Sequence, residues 1–316
     1  MSGAAPPDAG RATPGRGGRE HRLAGIAFVV ASATAFGAMA IFARYAYADG
    51  VDTATLLALR FVIAGAFLIG TCAIAGVAWP RGRDLATLVA LGAVGYAAQA
   101  ASFFTALTLA PAGLVALLLY LNPAIVALLA AWRGHDRLGP RTLAALAIAL
   151  TGTALTVGPA LAGGSAGTHP AGIALGVLAA LVYAVYIVVS TDVAARVDPL
   201  AMSTVVIAGA AVPFAALALA RGPAFPASAV GWSAVLAIAL VSTLAAITWF
   251  FAGLKRIGPT RASTLSTVEP AVTVALAAIL LGERISAMQM AGGALILAAV
   301  VLLARPGAPD VDDAQR

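Results

Sequence analysis

Long apolar segments follow one another along almost the whole chain, and they restrict the fold more than any other feature. About 20 apolar residues are needed to cross the hydrocarbon core of a bilayer. Lipid offers no hydrogen-bond partners, so the backbone of such segments must pair internally, which favours helices. We predict an all-α integral membrane protein with ten transmembrane helices. The predicted spans are residues 23–43, 53–75, 85–107, 112–131, 141–158, 170–190, 200–220, 230–252, 260–281 and 286–304.

The composition excludes a water-soluble body of this size. Of the 316 residues, 61% are hydrophobic and only 10% are charged, whereas soluble domains carry about 25% charged residues. The ten spans leave short loops and no room for a soluble catalytic domain. Residues 1–22 are rich in Gly, Pro, Ala and Arg without an apolar period, which predicts a disordered cytoplasmic tail. Residues 305–316 form a second cytoplasmic tail.

The basic residues predict the orientation in the membrane. With the N-terminus in the cytoplasm, fifteen Lys and Arg residues lie on the cytoplasmic side and three on the outer side, as the positive-inside rule requires. Both termini are therefore expected to be cytoplasmic in a multi-pass protein of the cell membrane. Because these residues determine topology, the net charge of +6 does not indicate a nucleic-acid partner.

The two halves of the chain repeat one another at an offset of 147 residues. This offset predicts a first five-helix repeat at residues 23–158 and a second at 170–304. Because five is odd, the second repeat lies upside down relative to the first. Such inverted repeats place a substrate site near the midplane and support alternating access. The pairs that share the offset include Phe103–Phe104 with Phe250–Phe251, Pro123–Ala124 with Pro270–Ala271, and Asp136–Arg137 with Glu283–Arg284.

Several short motifs give the sequence a family resemblance over residues 23–304. They are Arg60–Phe61, Phe104-x-Ala106–Leu107, Pro123, Glu269–Pro270 and Leu281–Gly282–Glu283–Arg284. In their order and duplication they resemble the EamA-type members of the drug/metabolite transporter superfamily. The resemblance implies a ten-helix exporter of amino acids, related metabolites or drugs, often driven by the proton gradient. His135–Asp136–Arg137 departs from the second-half pattern, which puts a role for the first-half acidic position in doubt.

Glu269 is the main candidate for a functional group within the membrane. An ionisable side chain at the bilayer centre costs about 2.5–3.5 kcal/mol or more, so it indicates function by default. Pro270 frees the carbonyl of Ser266 from its helical partner, and the offset places Asn122–Pro123 at the matching depth. We predict that Glu269 and Asn122 bind substrate and that Glu269 carries the coupling proton. The alternative is a structural carboxylate paired with Arg60 or a hydroxyl.

Further candidates for the substrate site come from other polar groups within the spans. Arg60 either provides a counter-charge for the ligand or extends to the interface. Two sets of residues each lie along one face of an apolar helix and indicate a cavity wall or contacts between helices. They are Tyr96, Gln99 and Phe103, and Tyr183, Tyr186 and Ser190. Trp249, beside Thr248, is a further candidate. The predicted substrate-binding residues are Arg60, Tyr96, Gln99, Asn122, Tyr183, Tyr186, Trp249 and Glu269.

The sequence leaves three functional classes to compare. A proton-coupled exporter of a small zwitterionic, neutral or cationic metabolite is favoured over an uncoupled facilitator or channel, and over a membrane-embedded enzyme or scaffold. Gly163–Gly164–Ser165–Ala166–Gly167 matches a hydrolase pattern but lies in a loop without the strand that such a site needs. We expect no enzyme activity, no cofactor and no metal site. The partners are a small-molecule substrate and the bilayer, with a homodimer left open.

Overall fold

A computed structural model describes residues 16–132, 139–161, 168–257, 262 and 265–304, and the predictions for other residues lie outside it. Every regular element in this part of the chain is helical, as predicted. The α-helices are α1 (Arg16–Gly37), α2 (Met39–Ala48), α3 (Thr53–Ala75), α4 (Gly82–Ala90), α5 (Ala97–Leu109), α6 (Ala112–Leu119), α7 (Asn122–Trp132), α8 (Pro140–Leu161), α9 (Pro170–Ala194), α10 (Pro199–Arg221), α11 (Ala229–Leu236), α12 (Ala246–Ile257), α13 (Val268–Leu280) and α14 (Ala287–Ala304).

Eight helical segments in the described residues are long and apolar enough to cross a membrane. They coincide with the first eight predicted spans. The ninth and tenth predictions correspond to shorter apolar helices, Val268–Leu280 and Ala287–Leu302. The eight long segments are Glu20–Ala48, Thr53–Ala75, Gly82–Leu109, Ala112–Leu129, Thr142–Pro159, Pro170–Ala194, Pro199–Arg221 and Ala229–Ile257.

The first helix begins earlier than the sequence pattern predicted. α1 starts at Arg16, so residues 16–22 are helical rather than part of a disordered tail. Arg and Glu are good helix formers, and extending an existing helix costs less than nucleating a new one. The apolar period therefore marks the membrane segment and not the end of the helix.

The helices pack mainly across the two halves of the chain. α1 lies against α12, and α9 lies against α5; under the 147-residue offset these two pairs are equivalent. α3 packs on α10 and α8 on α14, so each of these helices contacts its own equivalent. These four contacts are thus unchanged when the two halves are exchanged, and the cavity described below is lined by residues of both halves.

Four of the irregular segments that interrupt the helices occur in two pairs at the offset of 147 residues, whereas the turn at Ala38 between α1 and α2 has no such counterpart. Leu91–Tyr96 and Ala237–Ala245 are π-helical. A break at Tyr120–Leu121 separates α6 from α7, and a turn at Thr267 precedes α13. π-helical turns occur frequently at functional sites. Both pairs contribute residues to the central cavity.

Candidate functional site

A cavity of about 740 Å³ lies between the two halves of the protein. Its size is typical of a site for a small molecule. Aromatic and aliphatic side chains from both halves of the chain form much of the wall, and several polar groups face the same space. The polar lining residues are Ser32, Arg60, Tyr96, Gln99, Tyr120, Asn122, Tyr183, Ser266, Thr267, Glu269 and Thr273.

The structure brings six of the eight predicted binding residues to this cavity. Tyr186 does not line it but stacks on Tyr183, with ring centroids 6.2 Å apart, and lies 6.0 Å from the ring of Tyr96. Trp249, on α12, does not belong to the lining as described. The six residues that line the cavity are Arg60, Tyr96, Gln99, Asn122, Tyr183 and Glu269.

Glu269 lies in the first turn of α13, at the helix break. Its Oε2 atom accepts a hydrogen bond of 2.9 Å from the Tyr120 hydroxyl, and the side chain is partly exposed. The same hydroxyl is 3.2 Å from the carbonyl oxygen of Ser266, to which it also has donor geometry. Pro270 has no N–H that could donate to the Ser266 carbonyl. As expected, this carbonyl lacks that helical hydrogen bond, and the Tyr120 side chain takes its place.

Asn122 occupies the equivalent position at the start of α7. Its Nδ2 donates a hydrogen bond of 2.9 Å to the carbonyl of Leu119, and Pro123 follows it as Pro270 follows Glu269. Proline in the first turn of a helix is favourable because that N–H has no helical partner in any case. At both prolines the structure has a break between separate helical segments.

The first helix passes very close to the break beside Glu269. A Cβ atom added at Gly37 would lie 2.7 Å from the Glu269 carbonyl oxygen, a distance that no side chain can occupy. The Thr273 hydroxyl donates to the Gly37 carbonyl at 2.8 Å. Gly37 thus allows α1 and α13 to approach, and the contact fixes the position of the first turn that carries Glu269.

Arg60 is buried in the cavity wall and does not extend to the membrane interface. Only 3% of the residue is exposed. Its Nε donates to the Thr243 hydroxyl at 3.1 Å, and its Nη2 donates to the Tyr96 hydroxyl at 3.2 Å. The guanidinium also lies over the rings of Phe61 and Phe104, 4.8 and 5.2 Å from their centroids, where the aromatic faces stabilise a cation.

The partners of Arg60 are equivalent residues in the two halves. Tyr96 belongs to the first π-helical segment and Thr243 to the second, and their numbers differ by 147. The equivalent of Arg60 itself is Ile207. A single cation from the first half is therefore held between matching positions of both halves.

Arg60 and Glu269 do not pair with each other. The only ion pair within the described part of the chain joins Arg196 to Asp84 at 2.8 Å, and neither of these residues lines the cavity. The alternative of an Arg60–Glu269 pair is therefore wrong, whereas the alternative of a hydroxyl partner for Glu269 is observed. One cation and one carboxyl group thus reach the same cavity without neutralising one another directly.

The family follows from comparison with known proteins. A model of the EamA-like transporter family matches residues 23–158 and matches residues 170–305 a second time. The chain belongs to this family. The two matches cover nearly the same ranges as the predicted repeats. This EamA-like protein is therefore a multi-pass membrane transporter of small molecules and not an enzyme, and its surroundings are a lipid bilayer.

Two relatives and a solved structure resemble this EamA-like chain along most of its length. An "Uncharacterized transporter" of Archaeoglobus fulgidus is 28% identical over 283 residues, 88% of this chain and 95% of that relative. A "Probable terminal-alkyne amino-acid exporter" of Streptantibioticus cattleyicolor is 30% identical over 260 residues, 81% of this chain and 86% of that relative. A crystal structure at 23% identity has the same fold, with a TM-score of 0.63 over 90% of this chain and 97% of that one.

Sequence reasoning missed Tyr120, which contacts the main carboxyl group of the EamA-like cavity. The tyrosine lies two residues before Asn122–Pro123, in a run that otherwise reads as uniformly apolar. A tyrosine within an apolar run is equally compatible with lipid, core or cavity, so its presence did not indicate the site. Its partner could not be identified either, because Tyr120 and Glu269 are 149 positions apart in the chain.

A second cavity of about 520 Å³ lies near the loop between α13 and α14. There Glu283 accepts hydrogen bonds from the backbone N–H groups of Ala112 and Gly113, at 2.7 and 3.1 Å. These groups belong to the first turn of α6, where a carboxylate is stabilised by unpaired N–H groups and the helix dipole. Both oxygens of Glu283 are thus held by fixed donors, unlike those of Glu269.

Proposed function

We propose that this protein exports an amino acid or a closely related amine across the cell membrane in exchange for protons. The observation that carries the proposal is the central cavity, where Arg60 and Glu269 come from different halves of the chain and form no ion pair with each other. Ionisable groups within the spans of a membrane protein indicate a substrate or ion pathway. A cation and a carboxyl group in one cavity complement the two ends of a zwitterion.

The lining supports this substrate class. A substrate carboxylate would bind the guanidinium of Arg60, where charged hydrogen bonds have favourable geometry. A substrate ammonium group would bind Glu269. Apolar side chains, among them Phe36, Phe103 and Phe250, would contact an apolar body between the two ends. The relative from Streptantibioticus cattleyicolor, a "Probable terminal-alkyne amino-acid exporter", agrees with this class.

The architecture we propose has ten spans in two inverted halves. The exchange-symmetric packing of helices, the paired breaks and the equivalence of Tyr96 and Thr243 support it. Rocking of one half against the other would then expose the cavity to each side in turn. The distribution of basic residues supports an orientation with both termini in the cytoplasm.

The proposed coupling uses competition at Glu269. A carboxylate that holds the substrate ammonium group cannot bind a proton at the same atoms, and a neutral carboxyl group has little affinity for a cation. The protein therefore carries substrate in one direction and a proton in the other. This exchange drives export when the proton concentration outside exceeds that inside.

Transport into proteoliposomes tests the proposal. Purified protein is reconstituted into vesicles with an acidic interior, and uptake of labelled amino acids, polyamines, nucleosides and sugar phosphates is measured. We expect an amino acid to accumulate above its external concentration and Glu269→Gln to abolish the accumulation. Glu283→Gln is the matched control and should accumulate substrate normally.

Three results would contradict the proposal. Equilibration of substrate without accumulation, independent of the pH gradient, would indicate an uncoupled facilitator. Normal accumulation by Glu269→Gln would show that Glu269 does not carry the coupling proton. Uptake of sugar phosphates alone would contradict the zwitterionic substrate class.

A further inference from the structure

The Tyr120 hydroxyl has more acceptors than it has hydrogens. It lies 2.9 Å from Oε2 of Glu269 and 3.2 Å from the carbonyl oxygen of Ser266, but a phenol donates only one hydrogen bond at a time. When Glu269 is ionised, both neighbours are acceptors only. The hydroxyl then cannot serve both of them with its single hydrogen.

The protonation of Glu269 changes this arrangement. A neutral carboxyl group can donate its O–H to the phenolic oxygen. The Tyr120 hydroxyl is then free to donate to the Ser266 carbonyl, so one added proton allows two hydrogen bonds in series. When the proton leaves, the charged carboxylate attracts the hydroxyl more strongly than a neutral carbonyl does, and the bond to Ser266 is lost.

We infer that Tyr120 is a positioning residue that links proton occupancy of Glu269 to the helix break before α13. The inference rests on the proposed function, in which Glu269 carries the coupling proton. In the protonated state, Tyr120 ties the end of α6 to both Ser266 and Glu269. In the ionised state it holds Glu269 alone, and the Ser266 carbonyl, beside the cavity, becomes available to a substrate ammonium group.

No covalent change occurs at Tyr120 in this scheme. The proton arrives at and leaves from the Glu269 carboxyl group, and the tyrosine remains a neutral phenol whose O–H changes direction. The other ionisable groups that face the cavity are Arg60 on α3, Tyr96 in the π-helical segment and Tyr183 on α9. The described lining residues of α1, α2 and α7 bring no ionisable group to it.

The equivalent break in the first half has a hydrogen bond that does not depend on a proton. Asn122 always carries hydrogens on Nδ2 and donates one directly to the Leu119 carbonyl at 2.9 Å. Under the offset of 147, Leu119 corresponds to Ser266 and Asn122 to Glu269. An ionised Glu269 has no hydrogen with which to make the equivalent bond, so in the second half the bond to the Ser266 carbonyl comes from Tyr120 and forms only while Glu269 is protonated.

Infrared difference spectra between acidic and alkaline pH test the inference. The carboxylic C=O band of Glu269 is identified by its loss in Glu269→Gln. In Tyr120→Phe the protonated carboxyl group has no phenolic acceptor, so we expect its C=O band to move to higher wavenumber. Tyr183→Phe, which removes a cavity hydroxyl without a hydrogen bond to Glu269, should leave the band in place. An unmoved band in Tyr120→Phe would overturn the inference.

Transport by the same variants separates this inference from the proposed function. We expect Tyr120→Phe to retain exchange of labelled for unlabelled substrate while accumulation driven by the pH gradient falls about tenfold or more. If Glu269→Gln still accumulates substrate, the proposed function fails. If Glu269→Gln loses accumulation but Tyr120→Phe accumulates like wild type, only the role of Tyr120 fails. Melting temperatures identify a variant that is not folded, and Tyr120→Trp then provides a second variant without the hydroxyl.

Discussion

At the first helix break, Asn122 donates its own amide hydrogen to the Leu119 carbonyl. At the second break, Glu269 occupies the equivalent position, and the carbonyl of Ser266 depends on the hydroxyl of Tyr120. Both breaks precede a proline and both line the same cavity. They differ in the donor to the carbonyl. The amide of Asn122 carries its hydrogens at every pH, whereas the Tyr120 hydroxyl is shared between Ser266 and Glu269.

This difference separates a structural role from a functional one. A break held by an amide has the same hydrogen bonds at every pH, because the amide does not titrate. A break that contains a carboxyl group gains or loses a donor with each proton. The first half therefore provides a fixed reference, and the second half contains the element that responds to protons and substrate.

Glu269→Gln should have the largest effect, since it gives the second break an amide like the first. If substrate and proton compete for Glu269, affinity on the acidic side of its titration weakens by about tenfold per pH unit. We expect this dependence to disappear in the variant. Thermal stabilisation by a transported amino acid, titrated between pH 5 and 8, provides the measurement. If the affinity of Glu269→Gln for substrate depended on pH as steeply as that of wild type, Glu269 would not be the group at which substrate and proton compete.

Asn122→Asp makes the first break resemble the second and should destabilise the protein. The Leu119 carbonyl loses a permanent donor when the new carboxyl group is ionised, which costs about 1–3 kcal/mol. The melting temperature should fall more at pH 8 than at pH 5. Asn122→Ala is the control, because it removes the donor without adding a titratable group. The decrease in its melting temperature should therefore be the same at pH 5 and pH 8. Unchanged melting of Asn122→Asp at pH 8 would show that the hydrogen bond contributes little.

Thr243→Val and Tyr96→Phe test whether the two halves hold Arg60 equally. Each change removes one acceptor of the guanidinium, and less precise orientation should weaken substrate binding by about three- to tenfold. Because the two residues are equivalent under the offset, we expect similar losses. Binding titrations at a single pH measure both. A loss in only one variant would show that the cation depends on one half alone.

Glu283→Gln should have the smallest effect. The amide oxygen retains one of the two backbone donors, Ala112 N–H or Gly113 N–H, so about 1 kcal/mol of stability is lost. Transport and its pH dependence should not change. The melting temperature measures the loss of stability, and the accumulation ratio at different pH values measures transport. A loss of coupling here would mean that a carboxylate satisfied by backbone donors also takes part in the proton cycle.

Much of the site could be predicted from the sequence because its key residues are unusual where they stand. A carboxyl group and an arginine within apolar spans attract attention on energetic grounds alone. The offset of 147 residues identifies Asn122 as the equivalent of Glu269 in the first half. Tyr120 had no such signal, since a tyrosine within an apolar run is equally compatible with lipid, core or cavity.

The π-helical segments show another limit of the sequence. Nothing in the composition of Leu91–Tyr96 or Ala237–Ala245 distinguishes them from ordinary helix. They carry Tyr96 and Thr243, the two residues to which Arg60 donates hydrogen bonds. The helix type that presents these partners is therefore visible only in the tertiary structure.

The sequence by itself determined that the protein is helical and lies in a membrane, that its halves repeat, and that Glu269 lies deep within an apolar segment. These properties depend on hydropathy, periodicity and spacing, which are recorded along the chain. Only the tertiary structure decided that Arg60 and Glu269 do not pair, and that Tyr120 reaches Glu269 from another helix. Such contacts depend on how rigid helices rotate and approach one another, and the sum of many weak packing interactions sets that geometry.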